Sequence, residues 1–295
     1  VPLVEAKEVA HIIFERTEGN PFFVKEYLKQ LYKDEAIWFD MKNLEWKCDL
    51  HKIHALQISD NVFDILSNNI DALSPNVRNL LCIASCMGNT FPHTLLKKVF
   101  NDDDQFDRSL ALALLSGWIV VDNTNKSDEK GYRFLHDKMQ HAIHNLLLGK
   151  VLHKVHYKIG CHQEQSREVQ DHPNLLECVN HLNIGAAYVR DKSFLGKLNL
   201  DASIYAKKSG DFESALKYIK KAMELDFSNP SVGNSVLIFK QRAECEHLCN
   251  HSDEAIGYYG KALEVAQTAL QKGEIYELLI KLYADISQFK DAYEV

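Results

Sequence analysis

Only 6 prolines and 13 glycines interrupt the 295 residues. So few breakers argue against a sandwich or barrel of many short strands, and suit long helices joined by short turns. Cationic excess is missing too. Lys and Arg number 34 against 41 Asp and Glu, and the net charge of −7 argues against a polyanion-binding chain. No apolar run approaches the about 20 residues of a membrane span, and the opening Val-Pro-Leu-Val-Glu-Ala-Lys is not a signal peptide. The 7 cysteines are odd in number and contain no CxxC, so neither a closed disulfide set nor a zinc ribbon is expected. Cys82 with Cys86, and Cys245 with Cys249, read as small buried hydrophobes on helices. The sequence therefore reads as soluble, cytoplasmic protein without a membrane partner.

Catalytic signatures are equally absent. There is no GxxxxGK followed by Ser or Thr, hence no phosphate cradle, phosphate lysine or Mg²⁺ hydroxyl of its own. No GxSxG, HExxH or dinucleotide-binding glycine motif occurs. No catalytic residue and no metal ligand set is assigned. Eight of the 14 histidines lie between His136 and His181, but pairs such as His141 with His144 or His153 with His156 lack a completing Cys or carboxylate pattern. They read as exposed or partly buried non-ligands.

What is present is 46% hydrophobic residues in helical periodicity, enough for about two domains' worth of core. Helical spacing runs from Leu3 to Glu15 and stops at Thr17-Glu18-Gly19-Asn20. Pro21 opens a second helix to about Tyr32. Ala36 to Asp40 and Leu44 to Cys48 flank Met41-Lys42-Asn43 as a short β-hairpin. Further helices are predicted from Ser59 to Leu73 and from Ser74-Pro75 to Gly88. Two more follow, one starting at Thr90-Phe91-Pro92 and one from Asp103 to Ser116. Trp118 to Val121 and Tyr132 to Leu135 then form two β-like runs around a turn, and His136-Asp137 caps a helix. Helices followed by a hairpin give a winged-helix order. Its candidate recognition helix carries Asp103, Asp104 and Asp107 against one Arg108, which argues against nucleic acid as a partner.

From about Val151 the chain is almost wholly helical and repeats itself. Ser203 and Ala243 each precede an Ala (215, 255) by twelve residues; each Ala is followed by a large residue four on (Ile219, Tyr259) and another Ala seven on (222, 262). That is tetratricopeptide-like spacing, in which small residues let paired helices approach. A third copy begins at Ile275. The start without Met and the end within a helical pattern at Ala-Tyr-Glu-Val read as an excerpt of a longer protein.

Four segments carry a family resemblance: Glu15-Arg16-Thr17-Glu18-Gly19-Asn20-Pro21-Phe22-Phe23-Val24-Lys25-Glu26, Trp46-Lys47-Cys48-Asp49-Leu50, Ala84 to Phe91, and Tyr132 to Gln140. Together they resemble the AAA-type predicted ATPases of the signal-transduction (STAND) class, which occur in multidomain hybrid histidine kinases and serine/threonine-kinase fusions. The resemblance implies a mainly α fold. Residues 1–58 would be a helical lid with a small hairpin, 59–149 a winged helix, and 150–295 an α-solenoid arm of tetratricopeptide-like repeats.

By the same resemblance Gly19, Asn20 and Pro21 match an element whose proline packs on the adenine of a bound nucleotide, and His136 matches a histidine that reaches the β-phosphate of ADP. Read from the residues alone, Pro21 is a helix starter and His136-Asp137 a strand end with an N-cap. ATP or ADP with Mg would be bound by the longer parent, in which an upstream P-loop domain is a partner in cis. This chain alone would not hold the nucleotide tightly and would not be an enzyme. The parent would be an ATPase and also a histidine or serine/threonine kinase. The function implied is nucleotide-state sensing by lid and winged helix, with a protein or peptide partner bound by the arm. The alternatives are a non-enzymatic scaffold or part of an ATP-dependent transcription regulator.

Overall fold

Pro21 and Pro75 each supply the first residue of a helix, where a fixed φ fits and the missing N–H has no partner to lose. A computed structural model describes residues 3–17, 19, 21–55, 70, 73–122, 130–147, 149–165, 174–226 and 232–294. Asn20, most of the helix expected from Ser59 and the turn after Asn123 lie outside them. The described chain is mainly helical and divides into two compact units, residues 1–148 and 149–295.

In the first unit α1 (Leu3–Thr17) and α2 (Pro21–Lys33) pack together and lead into β1 (Ile37–Asp40) and β2 (Glu45–Cys48). The hairpin pairs Ile37 with Cys48 and Asp40 with Glu45. Val9, Ile12, Ile13, Tyr27, Leu31 and Ala36 form its core with Ile53 of α3 (Leu50–Ala55). This burial follows the spacing seen in the sequence.

Next, α4 (Pro75–Met87) is the central helix against which α5 (His93–Phe100), α6 (Asp103–Leu115) and α7 (Asp137–Asn145) pack. Thr90-Phe91-Pro92 corrects the sequence reading. It forms a strand, β3 (Thr90–Pro92), and the helix begins only at His93. With β4 (Ile119–Asp122) and β5 (Gly131–Phe134) it makes an antiparallel sheet in the order β3-β5-β4. The cause is tertiary: Phe91 is buried against Phe134, with ring centroids 5.6 Å apart, so pairing to β5 outweighs the local helix-start signal. Asp102 caps α6 by accepting from Gln105 N–H.

The second unit is a series of helical pairs. α8 (Gly149–Gln165) packs on α9 (Leu175–Ile184), α10 (Lys192–Lys208) on α11 (Phe212–Asp226), α12 (Val232–Leu248) on α13 (Ser252–Val265), and α14 (Ala269–Asp285) on α15 (Phe289–Glu294). The small residues stand at the crossings as the spacing predicts. Ser203, Ala215, Ala222, Ala243, Ala255 and Ala262 are all fully buried. Ser203 Oγ donates to Ala215 O at 2.8 Å, tying the two helices of a pair.

The α8–α9 pair is an earlier copy that the spacing hides. Gly160, Cys178 and Gly185 take the small positions, and Cys178 Sγ lies 3.4 Å from Gly160 O. A Cβ on Gly160 would lie 2.7 Å from Leu182 Cγ, and one on Gly185 would lie 2.6 Å from Tyr157 N. Gly185 has an ordinary φ of −82°, so its requirement is space and not backbone freedom. Eighteen residues separate Gly160 from Cys178 where the later copies have twelve, which breaks the sequence period.

Candidate functional site

Gly19 sits at φ +73°, a left-handed turn between α1 and α2, with the Phe14 ring close enough that a Cβ on Gly19 would lie 2.9 Å from Cε2. This turn sets Pro21 as the exposed first residue of α2. Alongside it α1, α2 and the hairpin enclose an apolar cleft of about 610 Å³. Ala6, Val9, Ile13, Leu28, Tyr32 and Trp46 are among its walls, while Gly19 and Pro21 are not. Tyr32 and Trp46 meet edge to face, with centroids 6.0 Å apart, and both remain substantially exposed. Sequence reasoning missed this cleft, because its walls come from three separate elements.

The hairpin tip is held by Asp40, whose carboxylate accepts from Lys47 Nζ at 2.6 Å, Lys42 N–H at 2.9 Å and Asn43 Nδ2 at 2.9 Å. The Lys47 ammonium, then these amides, hold the Asp40 carboxyl well below its usual range.

His136 is on a different element. It follows β5 and is the N-cap of α7, its Nδ1 accepting from Lys138 N–H at 3.2 Å. The ring is partly exposed, and the exposed Asp137 carboxylate lies 3.0 Å from Nδ1. Gln140 Nε2 donates to Ser85 O at 2.7 Å, so α7, and with it His136, is pinned to α4. The capping role read from the residues is therefore what the geometry displays.

In the second unit buried polar groups join the pairs. Gln241 Nε2 donates to Ser203 Oγ at 3.0 Å and Lys207 Nζ to Gln241 Oε1 at 2.8 Å, linking α10 to α12. Asn183 and Asn199 bond reciprocally at 2.8 and 2.9 Å across α9 and α10. Glu246 is buried between Arg242, on its own helix, and His251 Nδ1 at 2.7 Å. Arg242 also lies over the Tyr258 ring, 5.0 Å from its centroid. His156 does not act with His153. It is buried and bonded through Nδ1 to Nδ1 of buried His181 at 2.7 Å, which corrects the expectation of exposed or partly buried residues for these two. His181 in turn, with Gln163, lowers the Glu177 carboxyl from its usual value.

Cys86 and Cys245 are buried as the helical spacing suggests, whereas Cys82 and Cys249 are partly exposed. Burial pushes the Cys86 thiol up to about 12 and raises Cys82, Cys245 and Cys249 as well, so at neutral pH all four are thiols and poor nucleophiles. On α6 the acids Asp103 and Asp104 occupy the first turn, and Leu110 and Ala113 are buried. Leu112 and Leu115 of the same helix are exposed. No helix among the described residues is long and apolar enough to cross a membrane.

Comparison with known proteins adds three findings. Residues 4–40 match a family model described as a domain of unknown function (DUF8739), which covers α1, α2 and β1. The chain is 22% identical over 355 aligned residues, 99% of its length, to the Hybrid signal transduction histidine kinase G of Dictyostelium discoideum. It is 23% identical over 184 residues, 60% of its length, to the Peroxide stress-activated histidine kinase mak3 of Schizosaccharomyces pombe. The matches span 10% and 8% of those relatives. Among solved structures, a Signal Transduction ATPase with Numerous Domains (STAND) protein with a tetratricopeptide repeat sensor from Pyrococcus horikoshii aligns at 16% identity and a TM-score of 0.38. That alignment covers 80% of this chain and 38% of that one. The chain is thus similar to segments of much longer signalling proteins.

Proposed function

We propose that this chain is the regulatory part of a STAND-type signalling ATPase. In this reading α1, α2 and the hairpin are a lid, α4 to α7 with their three-stranded sheet are a winged helix, and the helical pairs are a partner-binding arm. The observation that carries it is the order of these parts. A left-handed Gly19 before a helix-opening Pro21, then His136 capping the helix that follows β5, then paired helices with small residues at their crossings agree with the order that the four motif segments suggest. Similarity along 99% of the chain to a hybrid signal transduction histidine kinase supports a place in signalling.

The residues present fit the rim of a nucleotide site and not its floor. Pro21 is exposed at a helix start, where unpaired N–H groups favour negative charge, and it is open to a stacking base. His136 is fixed in orientation by the Lys138 N–H. Bound ADP or ATP would supply the phosphate charge that distinguishes resting from active states. Pro21 would position the base, His136 would face the phosphates, and a P-loop domain outside this chain would hold them. Loss of those contacts would release the lid and free the arm, a population shift between two states.

The test uses the longer protein carrying the P-loop domain. Pro21→Ala and His136→Ala are each expected to weaken ADP binding about tenfold, equivalent to about 1.4 kcal/mol. Unchanged affinity in both variants would remove the switch from this reading and leave the arm as a plain scaffold.

A further inference from the structure

The first helices of successive pairs touch, α10 with α12 and α12 with α14. On the second helices, α9 and α11 border a cleft of about 830 Å³. Its apolar floor is Leu216 with the exposed Ile184. Its rim is polar and mostly donor. Tyr218 O–H donates to Asn180 Oδ1 at 2.9 Å, which fixes the amide and commits its oxygen, leaving the Asn180 amide N–H groups to face other acceptors. Lys217, Lys220 and Lys221 line the same cleft with Glu213 and Glu224. Glu224 is engaged by Lys221 at 2.8 Å, so among the residues lining the cleft Lys217 and Lys220 face Glu213 as the remaining carboxylate.

We propose that this cleft binds an acidic peptide segment of a protein partner. An apolar side chain would sit over Ile184 and Leu216, and carboxylates would meet Lys217, Lys220 and the Asn180 amide. A basic segment would bring like charges against the two lysines, and a wholly apolar one would leave the rim donors desolvated without acceptors. The inference rests on the partner-binding role proposed for the arm and names the chemistry and the face that perform it.

Three fluorescein-labelled dodecapeptides test it by anisotropy with the whole 295-residue chain. One alternates Glu and Asp with Leu, one has every acid replaced by Lys, and one has every acid replaced by Ser. The acidic peptide is expected to bind, to weaken as salt rises, and to lose about tenfold in affinity in K217E/K220E. The two lysines are exposed, and an unchanged thermal melt of the variant checks that the fold is kept. Failure of the acidic peptide to bind, equal binding of the Ser or Lys peptide, or indifference to K217E/K220E would each overturn the proposal. The nucleotide switch stands or falls separately: ADP binding insensitive to Pro21→Ala and His136→Ala, with the peptide result intact, would remove the switch and keep the cleft.

Discussion

Adding one methyl group at residue 185 would place a carbon 2.6 Å from Tyr157 N and 2.7 Å from Tyr157 Cα, both backbone atoms. Neither can move alone. Gly185→Ala is therefore expected to cost about 1–3 kcal/mol, read as a lowered urea midpoint with an unchanged slope. Glu246 makes the opposite kind of demand, for charge in place of space. Glu246→Ala would leave the Arg242 guanidinium buried without its counter-ion, and a loss of about 3–5 kcal/mol is expected. Replacing both partners by apolar residues is expected to restore most of that loss, and paired urea melts distinguish the two outcomes. Neither residue was legible in the sequence. Gly185 looks like an ordinary helix end, and Glu246 like a solvated acid, because nothing local reveals what packs against them.

Elements were legible where the signal is local and hidden where it is tertiary. The β1–β2 hairpin and the crossings at Ser203, Ala215, Ala243 and Ala255 follow from two β-prone runs around a short turn and from twelve-residue spacing, both readable along the chain. By contrast, β3 exists because β5 is beside it, and the α8–α9 pair because two glycines permit its crossing. Of the candidate site, Pro21 and His136 were found as helix-boundary residues, whereas both clefts arise from the meeting of separate elements. The hairpin has its own pH signature. The Asp40 carboxyl is depressed below its ordinary 3.8, so the stabilisation from Lys47 and the turn amides is complete above that value. It is lost progressively as pH falls from there through the lower folded value. An NMR titration of the Asp40 carboxyl carbon should show a midpoint below the ordinary 3.8, and Lys47→Ala should bring that midpoint back toward the ordinary range.

At the scale of the molecule, the two units divide the work in the proposed reading: residues 1–148 sense nucleotide state and residues 149–295 meet the partner. The matches span a tenth or less of two histidine kinases, so the activities of those proteins are not carried over to this chain. The polar links between pairs have a further effect. A row of units bonded mainly to their neighbours opens from its ends, because an end unit has one neighbour to leave and an inner unit has two. In these 295 residues taken alone, the pair α14–α15, with Phe289 and Tyr293 facing water, is such an end. Thermal fraying would start there and advance toward α12, where the Lys207–Gln241–Ser203 ladder resists it. The helices α9 and α11 would keep their geometry after the far end has begun to melt.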